Sequence, residues 1–224
     1  MSTATVPAAR QPTMSPVPGL GATHSLRRLP VQERSAARVR RMLDAAADLI
    51  EEVGYDRLST TAIAQRADVA IGSVYQFFGD KRSLAEALSR RYIDLYFERL
   101  AARFDAEPPA DWRAGVEAAV GEYVHLYRTA PGFRVLHLAD AIDPSGAETI
   151  TTGGDVIAQQ ILTGLEQRFG IGAGDKPLSE TVTVAVETGQ ALVRLAFRRD
   201  PEGDPSAIAE ASRVVCEYLA RRLS

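Results

Sequence analysis

Residues 58–84 read LSTTAIAQRADVAIGSVYQFFGDKRSL. Ser59, Thr60 and Thr61 place hydroxyls where a helix must satisfy its first free backbone N–H groups. Ile63, Ala64 and Ala67 then fall on one face at helical spacing. Asp68 stands where the chain must turn sharply, and Asp tolerates the left-handed conformation better than most residues other than Gly. Val69 plugs the angle between this helix and a second one over 71–78, whose packing residues are Val74, Phe77 and Phe78. Gly79-Asp80 ends the second helix, Asp80 can cap a third, and Leu84 begins the third helix's apolar stripe. The pattern is a helix-turn-helix.

Upstream, Val39, Met42, Leu43, Ala46, Leu49, Ile50 and Val53 repeat at three and four, which predicts an amphipathic helix from 31 or 32 to 53. Gly54 ends it as a C-terminal cap, and Tyr55 and Leu58 pack beneath. Arg34, Arg38, Arg40 and Arg41 lie along its early turns. Residues 1–29, rich in Pro, Ser, Thr, Ala and Gly and without periodicity, are expected to form a disordered tail. Arg27 and Arg28 at its end leave open a basic arm for a minor groove, although a solvated tail is the better reading.

Downstream, helices are expected over 81–104, 112–128, 133–139, 147–169, 179–199 and 205–222. Pro108 and Pro109 break the chain before Asp111, which caps the next helix. Gly153-Gly154 weakens the helix that contains it. The segment GIGAGDKP at 170–177 lacks the spacing of a phosphate loop and has no strand before it, so it is an interhelical loop. TVTVAV at 181–186 alternates like a strand, but the surrounding pattern is helical. The short link at 200–205 makes the last two helices antiparallel neighbours. The fold class is therefore all-α: a helix-turn-helix domain over 30–80, then a larger helical domain over 81–224.

The composition is that of an ordinary globular protein, with 46% hydrophobic and 25% charged residues. No apolar run approaches the roughly 18 residues that cross a bilayer, and residues 1–30 lack a signal-peptide core. Cys216 is the only cysteine, so no intrachain disulfide can form, which fits a reducing cytoplasm. The net charge of −3 is unevenly spread. Residues 1–91 carry 13 Lys and Arg against 9 Asp and Glu, a net of +4; the remainder carries 13 against 20, a net of −7. The basic excess lies in the half that holds the helix-turn-helix, as attraction to phosphates requires.

Residues 58–84 resemble the TetR family of bacterial transcriptional repressors. Thr60, Ile63, Ala64, Ala67, Val69, Gly72, Tyr75, Phe77, Phe78, Lys81 and Leu84 fit the family pattern in order. Asp68 stands where Gly is usual and Ala70 where Ser is usual; Ala70 removes a cap, and the family's phosphate contact at that position is not carried over. In a helix-turn-helix the second helix enters the major groove, which exposes Ile71, Ser73 and Gln76 to base edges, with Gly72 allowing close backbone approach. Gln76 can pair with adenine N6 and N7, and Ile71 with a thymine methyl. The resemblance assigns phosphate contacts to Thr60 or Thr61, Tyr75 and Lys81, with core packing under the turn as the competing reading of Tyr75.

One such unit reads only a few base pairs, so a two-fold dimer on a palindrome of double-stranded DNA is expected, with half-sites separated by helical turns of roughly 34 Å. The resemblance puts the homodimer interface on the last two helices and a small-molecule effector among the central ones. Tyr96, Leu100, Trp112, Tyr123, Tyr127, Phe133, His137 and Gln190 are candidate lining residues, each of which is more often plain core. Their character favours an apolar or aromatic effector.

Enzyme chemistry finds little support. His24 lies in the tail, and His125 and His137 form no metal pair at helical spacing. There is no CxxC, HExxH or GxSxG, and no cofactor is implied. The competing reading is a ligand-binding or dimerisation module that keeps the helix-turn-helix as scaffold.

Overall fold

The computed structural model describes residues 33–138, 153–171 and 176–223; the expected tail and residues 147–152 lie outside them. The described residues form helices α1 (Glu33–Val53), α2 (Thr60–Arg66), α3 (Ile71–Phe77), α4 (Lys81–Ala106), α5 (Trp112–Thr129), α6 (Phe133–Leu138), α7 (Gly153–Phe169), α8 (Lys176–Arg199) and α9 (Pro205–Ala220), with no strand among them. None is long and apolar enough to cross a membrane.

Local chemistry sets the ends of these helices. Asp80, Asp111 and Asp204 cap α4, α5 and α9 by accepting from the backbone N–H of Ser83, Ala114 and Ser206 at 2.7, 2.9 and 2.9 Å. Gly54 closes α1 at φ +80°, a left-handed turn that suits glycine. The start of α8 departs from the sequence reading, which places it at 179. The helix begins at Lys176, because a first turn tolerates Pro177: a proline's missing N–H has no partner to lose there.

α4 links the two parts of the molecule, and its sequence explains how. Apart from Ala85, its buried residues Leu84, Leu88, Tyr92, Tyr96 and Leu100 recur at every fourth position. Each step of four overshoots a full turn by about 40°. The buried stripe therefore winds around the helix by roughly 160° from Leu84 to Leu100. Its first half packs in the same core as Ile63, Val74 and Phe78, and its second half reaches α5 and α7. The apolar core is continuous from the helix-turn-helix into the larger domain, where it takes in Phe133, Val193 and Phe197.

α8 packs on α7 and α9, and α9 also packs on α5. Gly189 lets α8 and α9 come close: a Cβ there would lie 3.2 Å from Cγ2 of Val215. Between α4 and α5 the carboxylate of Glu122, only 8% exposed, receives Nε of Arg99 at 3.0 Å and Nη1 of Arg103 at 3.4 Å. Two guanidiniums and two hydrogen bonds compensate that buried charge.

Candidate nucleic-acid interface and effector cavity

The helix-turn-helix is built by short-range rules. Ser59, extended at φ −134°, accepts from the N–H of Ala62 at 3.1 Å and starts α2. Asp68 makes the turn at φ +51°, the left-handed conformation expected of it. Ala70 occupies the N-cap of α3 and makes no side-chain cap bond there. Val74 and Phe77 seal α3 to the core. Arg66 forks onto both carboxylate oxygens of Glu52 at 2.9 and 2.7 Å and ties the end of α2 to α1. The hydrogen bonds from Arg66 hold the Glu52 carboxyl below its usual pKa.

This leaves one polar face open. Ile71 (41%), Gly72, Tyr75 (47%) and Gln76 on α3 are exposed, as is Thr61 on α2; Ser73 and Thr60 are half-buried. Tyr75 is thus a surface residue and not a core residue under the turn. Its hydroxyl lies 3.1 Å from Oγ1 of Thr60. Lys81, at the start of α4, donates from Nζ to the Asp56 carbonyl at 3.2 Å and sits 4.9 Å over the Tyr55 ring.

A second feature lies deeper. A cavity of about 150 Å³ opens among α4, α5, α7, α8 and α9. Of the lining residues expected from sequence, Tyr96, Leu100, Trp112, Tyr123 and Gln190 do line it. Tyr127 and Phe133 do not. They form an aromatic stack behind the wall, with Phe133 edge-on to Tyr92 and Tyr127 at 5.1 Å and Tyr127 stacked on Phe197 at 4.6 Å. Side-chain packing from α4 and α8 draws these rings away from the cavity, which helical periodicity cannot reveal. His137 lies on α6, but its side chain is outside the described residues.

The rings in and behind the wall have suppressed acidity. Burial pushes the Tyr96 and Tyr123 hydroxyls above their usual range and raises Tyr127 to about 12. The Tyr96 hydroxyl donates to the Ala119 carbonyl at 3.2 Å. All three stay neutral phenols at physiological pH. Sequence reasoning missed the contribution of α7, including Gln160, Gly164, Leu165 and Arg168, and of α4 through Phe97 and Phe104. The aromatic residues of α4 were visible in the sequence; nothing local distinguished the α7 face.

Comparison with known proteins agrees with this architecture. The profile of bacterial regulatory proteins of the tetR family matches residues 42–88, and that of the tetracyclin repressor-like C-terminal domain matches residues 110–223. A solved TetR-family transcriptional regulator from Streptomyces coelicolor is 41% identical, covers 82% of this chain and 98% of its own, and superposes with a TM-score of 0.72. The regulator AlkX of Mycobacterium tuberculosis is 24% identical over 208 residues, 88% of this chain and 92% of AlkX. The repressor KstR of Mycolicibacterium smegmatis is 38% identical over 74 residues; there this chain spans only 34% of the relative's length. Matched at both its reading head and its helical C-terminal domain, the chain belongs to the TetR family of bacterial regulatory proteins.

Proposed function

We propose that this protein is a DNA-binding transcriptional repressor of the cytoplasm. In this reading it holds a palindromic operator as a homodimer paired through α8 and α9, and releases it when a small apolar molecule occupies the cavity. The observation that carries the reading is the open face of α3. Ile71, Gly72, Tyr75 and Gln76 are exposed on a helix whose opposite side is sealed by Val74 and Phe77. A helix held in that way can enter a major groove without rearranging its core. Gln76 supplies the paired donor and acceptor that read adenine, Ile71 reads the thymine methyl, and Thr60, Thr61, Tyr75 and Lys81 hold phosphates.

Regulation follows from how the cavity connects to the head. Tyr123 in the wall meets Phe133 at 5.7 Å, edge to face. Phe133 follows the Pro131-Gly132 turn, where the Gly132 N–H donates to the Glu51 carboxylate on α1 at 2.9 Å. Tyr92 of α4 donates its hydroxyl to the Pro131 carbonyl. An effector that favours a head spacing unable to span both half-sites by a few kcal/mol is sufficient for release.

Selection of bound duplexes from a random pool tests the reading. A two-fold symmetric consensus is expected. Recovery of no sequence preference, or of an asymmetric single site, contradicts it and favours the helix-turn-helix as scaffold.

A further inference from the structure

One wall of the cavity differs from the rest. Along α7, Gln160, Gly164 and Arg168 recur at every fourth residue and all line the cavity, so they share a face of that helix. At 1.5 Å per residue the row spans about 12 Å. Its middle is a gap, since a Cβ placed on Gly164 would meet no atom within 4 Å. Glycine inside a helix is disfavoured relative to alanine, and no neighbour of Gly164 requires it. The gap is space that belongs to the cavity.

At the end of the row stands Arg168, the one charged side chain among the described residues of the wall. Its guanidinium makes no hydrogen bond among the described residues. Its ion partner Asp105 lies 3.9 Å away, with a side chain 82% exposed to water, and such a pair is weak. The other contact is the Phe104 ring, 4.9 Å beneath the guanidinium carbon. An aromatic face therefore steadies a planar fork of donors whose hydrogen-bonding capacity is unspent among the described residues. The amides of Gln160 and Gln190 also make no hydrogen bond among the described residues.

We propose that this site takes an apolar monocarboxylic acid, its carboxylate paired with Arg168 and its hydrocarbon body laid over Gly164 against Leu100, Val186 and Phe169. A single guanidinium neutralises one negative charge, and its fork matches a carboxylate bidentately. A cationic head would meet the guanidinium's like charge. Cavities of this size accommodate a benzene-sized body, so the hydrocarbon is a single ring or a short chain. The proposal specifies the chemistry of the effector site and rests on the reading of this cavity as that site.

Calorimetric titration of the full-length protein at neutral pH tests it with two matched pairs, 4-phenylbutanoate against 4-phenylbutanamide and octanoate against octanamide. Each acid is expected to bind about tenfold or more tightly than its amide. Arg168→Gln should bring the acid down to the amide's affinity, and Gly164→Leu should weaken both. Equal affinity of acid and amide, binding of neither acid, or an acid preference that survives Arg168→Gln overturns the proposal. The wild-type comparison needs no variant, so a failure of Arg168→Gln to fold leaves the test intact. Release of a bound duplex is measured separately. An acid that binds with this pattern yet leaves the DNA complex whole supports the site chemistry and refutes the effector reading.

Discussion

The hydroxyl of Tyr75 and Oγ1 of Thr60 lie 3.1 Å apart, which fastens the exposed face of α3 to the first turn of α2. Tyr75 is exposed and Thr60 half-buried, and the bond fixes their hydroxyls at one spot on the proposed phosphate track. Tyr75→Phe removes the bond and retains the ring. It should cost about 0.5–1 kcal/mol of stability in urea unfolding, since the pair is exposed. Duplex affinity should fall further than that, and on all sequences alike. Affinity that tracks stability alone would remove Tyr75 from the interface.

Gln76 projects from an exposed position one residue beyond Tyr75. Gln76→Ala should weaken operator binding by roughly 1–3 kcal/mol and relax the preference at one base pair per half-site. Competition binding against a set of single-base operator variants measures this. An equal loss on every variant would assign Gln76 to the backbone instead.

Lys81 has an internal role already, donating to the Asp56 carbonyl and covering the Tyr55 ring. If its charge also neutralises a phosphate, Lys81→Ala lowers the dependence of log K on log salt by roughly 0.9 per monomer. Fluorescence anisotropy across a salt series reads the slope. An unchanged slope confines Lys81 to the Tyr55 contact.

Asp80 caps α4, and the Ser83 N–H holds its carboxyl below the usual carboxylate pKa. A depressed folded pKa means that the contribution is full above the unfolded value, near 3.9, and is lost as pH falls through the folded one. Asp80→Ala should therefore cost about 1 kcal/mol at neutral pH. The gap to wild type should narrow in acid below roughly pH 4. Urea midpoints at several pH values test both parts, and a pH-independent gap would show that the cap acts without its charge.

Gly132 has φ +73°, and a Cβ there would lie 2.7 Å from the Ala47 carbonyl oxygen on α1. Gly132→Ala should destabilise the fold by about 2 kcal/mol or more, from strain and from backbone overlap. Glu51→Gln retains an acceptor for the Gly132 N–H and should cost much less. Thermal unfolding of the two variants distinguishes them; similar losses would mean that the turn is not held by close approach.

The sequence by itself determined the helix-turn-helix, most of the helices and the caps at Ser59, Asp80, Asp111 and Gly54, but not the start of α8. Each is a local matter: a Ser or Asp oxygen reaching an N–H two or three residues on, a Gly or Asp at positive φ, an apolar residue every third or fourth position. The exposure of Ile71 and Gln76 on α3 was legible for the same reason, because Val74 and Phe77 leave only one side of a seven-residue helix to face outward, whereas the half-burial of Ser73 and the exposure of Tyr75 were decided by how α3 docks. Tertiary structure alone decided the cavity. Tyr127 and Phe133 have the same aromatic character as Tyr96 and Tyr123, yet Phe197 and Tyr92 hold them in a stack behind the wall. Glu122 reads as an ordinary helical carboxylate until α4 brings Arg99 and Arg103 over it. Gly164 reads as a weak point in a helix until α7 is docked and the space above it proves to be part of the cavity. Helical spacing states which residues share a face; only the packing of α4, α5, α7 and α8 states what that face meets.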